Sequence, residues 1–403
     1  MKINSSTLTI ISIGLLIACL SINSCSGRRD AHPASSIQGL ISDRLNDADL
    51  CPTGTSQDVQ QIVNNVGPDG IASLPEGCYR MAATVNIPAG IQLVGAGVDK
   101  TILYRDPEGT YWQPILQVRG DKDIPGETKI SGIAFIGVRD TDDIGQDSGL
   151  LIFDVTNFRV DHSYFEGFSW AGLRVVGSSN GVIDHAIFVD NYKHGIDNLG
   201  YGVAVYGEDK WATDLQVGGA LGTFVEDSLF IGNRHAIAAS AGAHYIFRHN
   251  QVLHSIVACA VDAHGMGYGN ARGTRYVEIY QNVIEDPIYH WCGIGIRGGA
   301  GVIFENTIRD YKNPILLILE WGTPDGYKAN YPAFDQVQEL YIWDNKITGG
   351  HSEPQVDETG VDFIKAGRDY FTEPLPGYVP YVYPHPLTSG GPFDAIPWPP
   401  LGK

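Results

Sequence analysis

A six-residue pattern recurs seven times between positions 160 and 347, and it limits this chain to a small set of folds. It reads apolar, two residues, then Ser, Ala or Asn, one residue, apolar. The copies are Val160–Phe165, Ile183–Phe188, Val225–Phe230, Phe247–Val252, Ile279–Ile284, Ile303–Ile308 and Ile342–Ile347. Their fourth positions are Ser163, Ala186, Ser228, Asn250, Asn282, Asn306 and Asn345, in steps of 23, 42, 22, 32, 24 and 39 residues. The short steps define a coil of 22 to 24 residues, and the long ones carry insertions. Short strands at this period, with no helical segment between them, predict an all-β fold, a single-stranded parallel β-helix solenoid. Stacked Asn or Ser side chains can bond along its axis, and Asn tolerates left-handed turn backbone. The rival is a β-propeller, whose blades need four antiparallel strands over roughly 40 residues. Counting irregular coils before residue 160, about nine to eleven are expected.

Composition agrees. A hydrophobic share of 43% in 403 residues can fill a core, while three Met and no long Ala/Leu/Glu/Lys stretch argue against a helical protein. The 46 acidic residues against 27 basic give a charge of −19, without the basic footprint of a nucleic-acid binder. A monomer with no nucleic-acid partner is expected.

The start of the chain reads as a targeting segment. Leu8–Leu20 is an apolar run too short to span a membrane comfortably. Two cysteines follow cleavage-site patterns that resemble bacterial lipoprotein signals, Leu16–Cys19 inside the run and Ile22–Cys25 after it. The second position fits cleavage better. The resemblance implies a signal peptide at 1–24, a lipid on Cys25 and, with Ser26 rather than Asp next, an exported outer-membrane lipoprotein facing the periplasm or the cell surface. Cys51, Cys78, Cys259 and Cys292 then remain in an oxidising setting. Cys51 and Cys78 flank a helical pattern, Ser56 to Val66, and a bridge between them is expected to tie down an N-terminal linker and cap at 25–69. The repeats occupy 70–350. The tail, 351–403, has ten prolines and reads as a C-terminal strap packed along the helix through Tyr378, Tyr381 and Tyr383.

Over residues 70–350 the chain resembles right-handed parallel β-helix proteins of the pectate-lyase-like kind. Arg234–Ala238, Val261–Gly265 and the ending Tyr378–Leu387 look like segments of secreted bacterial members. The resemblance implies carbohydrate-active chemistry on acidic polysaccharides, most often a lyase, sometimes a hydrolase or epimerase. The calcium-binding Asp set of pectate lyases and the Asp-Pro-His-Asp motif of alginate epimerases are not found in this sequence, which speaks against both subclasses; no cofactor is expected, with calcium left open.

A second strand aligns coil by coil: Leu173–Val176, Val203–Tyr206, Ile237–Ser240, Val261–His264, Ile294–Arg297 and Leu317–Glu320. Alternation turns the first and third residues inward and the second and fourth outward. The outward fourth column is therefore Val176, Tyr206, Ser240, His264, Arg297 and Glu320, with Asp262 on the same face as His264. Gly265 and Gly298 follow His264 and Arg297 and are expected to leave open space beside them, and the insertions 265–275 and 322–336 could wall a groove. From Arg234 to Arg297 there are five Arg, no Lys and six His against four acidic residues, which suits carboxylate or sulfate sugars. A solvated polar face with turn-bonding arginines is the alternative; Arg248 and His249 read as structural. His235 is expected to face inward as a stacked, buried imidazole, beside Cys259 and Cys292 read as stacked thiols, a bridge being the lesser alternative.

The favoured reaction is β-elimination. His264, held by Asp262, is the candidate base, and Arg297 would neutralise the uronate. Arg234, Arg272 or Arg275 would hold neighbouring sugars, and Tyr206 could protonate the leaving group. The alternatives are an inverting glycoside hydrolase using Asp262 and Glu320, and a non-catalytic surface polysaccharide-binding or structural protein.

Overall fold

The computed structural model describes residues 33–46, 51–107, 113–120, 127–138, 147–193, 199–210, 216–253, 258–266, 272–286, 289–321, 323, 328, 331 and 335–394. Each coil lays down three short strands, and stacked coils make three parallel sheets of 11, 10 and 11 strands. Sheet A contains strands such as Tyr164–Glu166, sheet B strands such as Asn180–Asp184, and sheet C strands such as Ala171–Val176. The fold is the expected parallel β-helix. Strand pairing runs from Gly54–Thr55 to Tyr370–Phe371, beyond 70–350 at both ends.

The recurring motif is the corner from sheet B to sheet A. Asn250 donates from Nδ2 to Asn282 Oδ1 at 3.2 Å, Asn282 to Asn306 at 2.9 Å, and Asn306 to Asn345 at 2.9 Å. These amides also bond backbone of adjoining coils, so the buried corner leaves few polar groups unmet. The left-handed backbone falls one residue earlier than the Asn, at His249, Gln281, Glu305 and Asp344. The Asn is selected for its ladder of hydrogen bonds, not for its φ. Inside, Phe135, Phe165, Phe188 and Phe230 stack at 4.7 to 4.9 Å, the spacing of adjacent coils.

Helix α1, Pro33–Asn46, buries Ile41 against Ile102 and Tyr164 of sheet A. Helix α2, Ser56–Asn64, closes the end of the core with Val59 and Val63, and a disulfide joins Cys51 to Cys78. Cys25 and the rest of the targeting segment lie outside the described residues.

Beyond Phe371 the chain lies on the outer face of sheet B. Arg248, fully buried, donates to Glu226 and to the carbonyls of Tyr381 and Val382. Tyr378 bonds Glu278, and His249 stacks on Tyr383 at 3.6 Å. Burial, followed by the Arg248 charge, holds both His249 and His385 down at about 4. A histidine depressed in the folded state stabilises fully above its unfolded value of about 6.5 and loses that stability as pH falls through about 4. The strap should therefore loosen between pH 6.5 and 4. His249→Phe, which keeps the stacking, should reduce the acid loss by about 1–2 kcal/mol after allowance for partial exposure. Urea unfolding of parent and variant at pH 7 and pH 4 checks it; equal losses would refute it.

Candidate functional site

Strands Val261–Ala263, Cys292–Ile296 and Asn313–Leu317 of sheet C carry the predicted cluster on their outer face. Asp262 sits in register with Ala238 and Gly295, and Arg297 follows its strand directly. Arg297 donates through Nε to Asp262 Oδ1 at 3.2 Å, through Nη2 to Asp262 Oδ2, and through Nη1 to Glu320 Oε1 at 3.2 Å. His264 Nε2 lies 3.0 Å from Asp262 Oδ2. The side chains of Asp262, Arg297 and His264 are 0%, 16% and 27% exposed, so the column is largely covered, not open to solvent. Burial alone would raise the Asp262 carboxyl. Arg297, then His264 and His235, outweigh it and hold the group well below the usual carboxylate range.

Four details differ from the sequence reading. Glu320 is not a member of the column. Ile315 pairs with Ile294 and Leu317 with Ile296, which puts Ile318 beside Arg297 and Glu320 two residues further on. Glu320 turns back instead, accepting from the backbone of Gly265 at 3.0 Å and of Trp321 at 2.9 Å. The run Ile315–Leu319 is apolar throughout, so it gave alternation nothing to fix the frame.

His235 is buried as expected, but on the outer face. Ala236 and Ile237 both enter the core, which breaks the two-residue period and turns His235 away. It stacks on Tyr201 at 5.4 Å and places Nε2 3.6 Å from Asp262 Oδ2. Burial, reinforced by Arg234, keeps this imidazole neutral, its pKa well below the usual value. Cys259 and Cys292 share that outer face with Leu316 and Ile318, and they form a disulfide instead of stacked thiols. Gly265 marks a close approach, not open space. A Cβ there would stand 2.4 Å from the Arg297 carbonyl and 2.8 Å from Glu320 Cβ.

A cavity of about 60 Å³ opens above the cluster, bounded by Arg234, His235, Asp262, Arg297, Trp291 and Trp321. The two tryptophans are 36% and 65% exposed. Sequence reasoning passed over both, although exposed Trp beside an ionic cluster is a signal for a stacking ligand. Of the predicted sugar-holding residues, Arg234 reaches this cavity, with its guanidinium 5.8 Å from the Tyr201 ring centre. Arg272 is engaged by the buried carboxylate of Asp335 at 2.6 Å. Arg275 is buried just before strand Tyr276–Tyr280 of sheet B, near Glu339 and Asp335. Tyr206 lines a separate groove of about 480 Å³ with Ser178, Lys210 and His244. The insertions expected to wall the site lie largely outside the described residues.

No protein-family model matches the chain, and no curated protein does. Among solved structures, the chain is similar to the A-module of mannuronan C-5 epimerase AlgE6 from Azotobacter vinelandii. The TM-score is 0.52 at 16% identity, over 75% of this chain and 85% of that one. The A-module of AlgE4 from the same organism aligns with TM-score 0.48 at 14% identity, over 75% and 91% of the two chains. A mannuronic acid specific polysaccharide family 6 lyase from human gut microbiota aligns with TM-score 0.42 at 14% identity, over 76% and 91%. At such identity the likeness to the AlgE6 module speaks for the parallel β-helix alone.

Proposed function

We propose that this chain is an exported, lipid-anchored enzyme that cleaves an acidic polysaccharide by β-elimination. The observation that carries the reading is the meeting, on one face of sheet C, of the partly exposed His264 imidazole, the buried Asp262 carboxylate behind it and the Arg297 guanidinium, the last two bordering the Trp-flanked cavity. The two disulfides support an oxidising compartment, and a lipid on Cys25 completes the export reading.

An arginine has five N–H donors, and the bonds to Asp262 and Glu320 use three. One hydrogen on each Nη remains. These donors grip a uronate carboxylate and stabilise the negative charge that grows on it as the C5 proton leaves. His264 faces Asp262 with Nε2, so Nδ1 is the nitrogen that takes the proton. The C5–H electrons form the C4–C5 double bond, the C4–O bond breaks, and the imidazolium returns the proton to the departing oxygen. Trp291 and Trp321 offer faces for flanking sugars.

Hydrolysis by Asp262 and Glu320 fits less well. A general acid must hold its proton near neutral pH, whereas Asp262 is held ionised and the same guanidinium binds both carboxylates. A screen of uronate and sulfated polysaccharides, read by ultraviolet absorbance and reducing ends together, tests the proposal. Elimination raises both signals. Reducing ends alone would establish hydrolysis, and binding without either signal a non-catalytic role.

A further inference from the structure

Two imidazoles and a carboxylate converge on the outer face of sheet C in a pattern that hydrogen bonding within the cluster leaves incomplete. His235 is 1% exposed. Its Nδ1 stands 2.5 Å from the Cys259 carbonyl oxygen. A carbonyl only accepts, so Nδ1 carries the proton and Nε2 presents a lone pair. Among the described residues that Nε2 has no hydrogen-bond partner. The nearest carboxylate is Asp262, whose Oδ2 is itself an acceptor, at 3.6 Å. His264 Nε2 comes within 3.0 Å of the same oxygen, out of line for a hydrogen bond. Two ring nitrogens thus flank one carboxylate oxygen, and all three atoms lie within 4.8 Å of one another.

A cation satisfies this arrangement. Bonds of about 2.0 Å in tetrahedral geometry place ligand atoms roughly 3.3 Å apart, and 3.0 and 3.6 Å straddle that spacing. We propose that His235 Nε2, Asp262 Oδ2 and His264 Nε2 are the protein ligands of a divalent transition-metal centre, with an open position toward the cavity. The supporting contacts suit such a centre. The Cys259 carbonyl fixes the ring orientation of His235, and the disulfide to Cys292 anchors the residue that carries that carbonyl. Arg297 holds the Asp262 carboxylate through both oxygens, Nε on Oδ1 and Nη2 on Oδ2, and Oδ2 keeps a second lone pair for the ion. Two nitrogens and one oxygen select Zn²⁺, Co²⁺, Ni²⁺ or Fe²⁺; Ca²⁺ and Mg²⁺ need more oxygen donors.

The centre goes beyond the elimination reading and constrains it. A metal on Nε2 of His264 leaves the proton on Nδ1, so the same imidazole cannot be ligand and base together. Bound Zn²⁺ then stops elimination by His264.

The test uses untagged full-length protein, stripped with a chelator and titrated with Co²⁺ and then Zn²⁺ in the absence of substrate. One equivalent of Co²⁺ should bind with the visible absorption of a low-coordinate site, and Zn²⁺ should displace it. His235→Ala should weaken binding by more than the roughly 100-fold that loss of an outer-shell partner costs. His264→Ala, at a partly exposed position that does not threaten folding, should do the same. No stoichiometric uptake, or uptake unchanged by both substitutions, would overturn the metal centre. Failure of the base assignment shows itself separately. A stripped enzyme that is inactive and regains activity with Zn²⁺ would remove His264 as base while leaving the centre in place.

Discussion

Replacing Arg297 with Met is expected to destabilise the protein by about 3–5 kcal/mol, the usual cost of leaving buried charges without their partner. Alternation alone predicts the opposite, because an outward side chain fills no core. The structure covers that face, and Arg297 is the cation shared by Asp262, fully buried, and Glu320, 7% exposed. Each carboxylate binds a different part of the site. Asp262 faces the two imidazoles, and Glu320 holds the backbone of Gly265 and Trp321. Without the guanidinium, two desolvated negative charges face each other across the space it filled. Urea unfolding at neutral pH measures the effect. Neutralising the acids as well, with Asp262→Asn and Glu320→Gln in the Arg297→Met background, should recover more than half of the loss. A loss below about 1 kcal/mol for Arg297→Met alone would show that the cluster is solvated and contributes little.

The coil was legible because its corner is chemically demanding. A buried turn between two strands needs amides that bond both along the axis and to backbone, and Asn250, Asn282, Asn306 and Asn345 announce it. The site was legible where polar residues interrupt an apolar strand, as Asp262, His264 and Arg297 do. It became illegible where the signal was uniform. The apolar run Ile315–Leu319 fits two frames equally, and only its pairing with Ile294 and Ile296 chooses between them. Ala236 and Ile237 hide a break in period, because a small residue at a corner looks neither inward nor outward until the stacked Phe rings beneath it are seen. That one break moves His235 from the core to the side of Asp262. It also brings Cys259 and Cys292 onto the outer face, where they bond to each other. Cover is a third blind spot. Trp291 and Trp321 belong to turns, and no strand pattern reports what a turn folds back over.

Replacing His264 with Ala should lower turnover by about 10²–10⁴, the usual contribution of a positioned general base. The proton moves only in the transition state, so kcat and kcat/KM should fall together while substrate affinity holds. Stability should change by only about 0.5 kcal/mol, because the ring is 27% exposed, outside the core, and Asp262 keeps its bond to Arg297. That contrast with Arg297→Met separates chemistry from architecture within one cluster. Glu320→Gln distinguishes the mechanisms. The amide keeps one acceptor oxygen for Arg297 but sets its NH2 against the Gly265 N–H, so an eliminating enzyme loses roughly tenfold through a less well held guanidinium. A hydrolase that used Glu320 as one of two essential carboxylates would lose nearly all activity. Both measurements require a substrate first shown to yield an unsaturated product. A His264→Ala enzyme that turns over such a substrate at the parent rate would remove the base from the scheme and place the proton transfer on another group of the site.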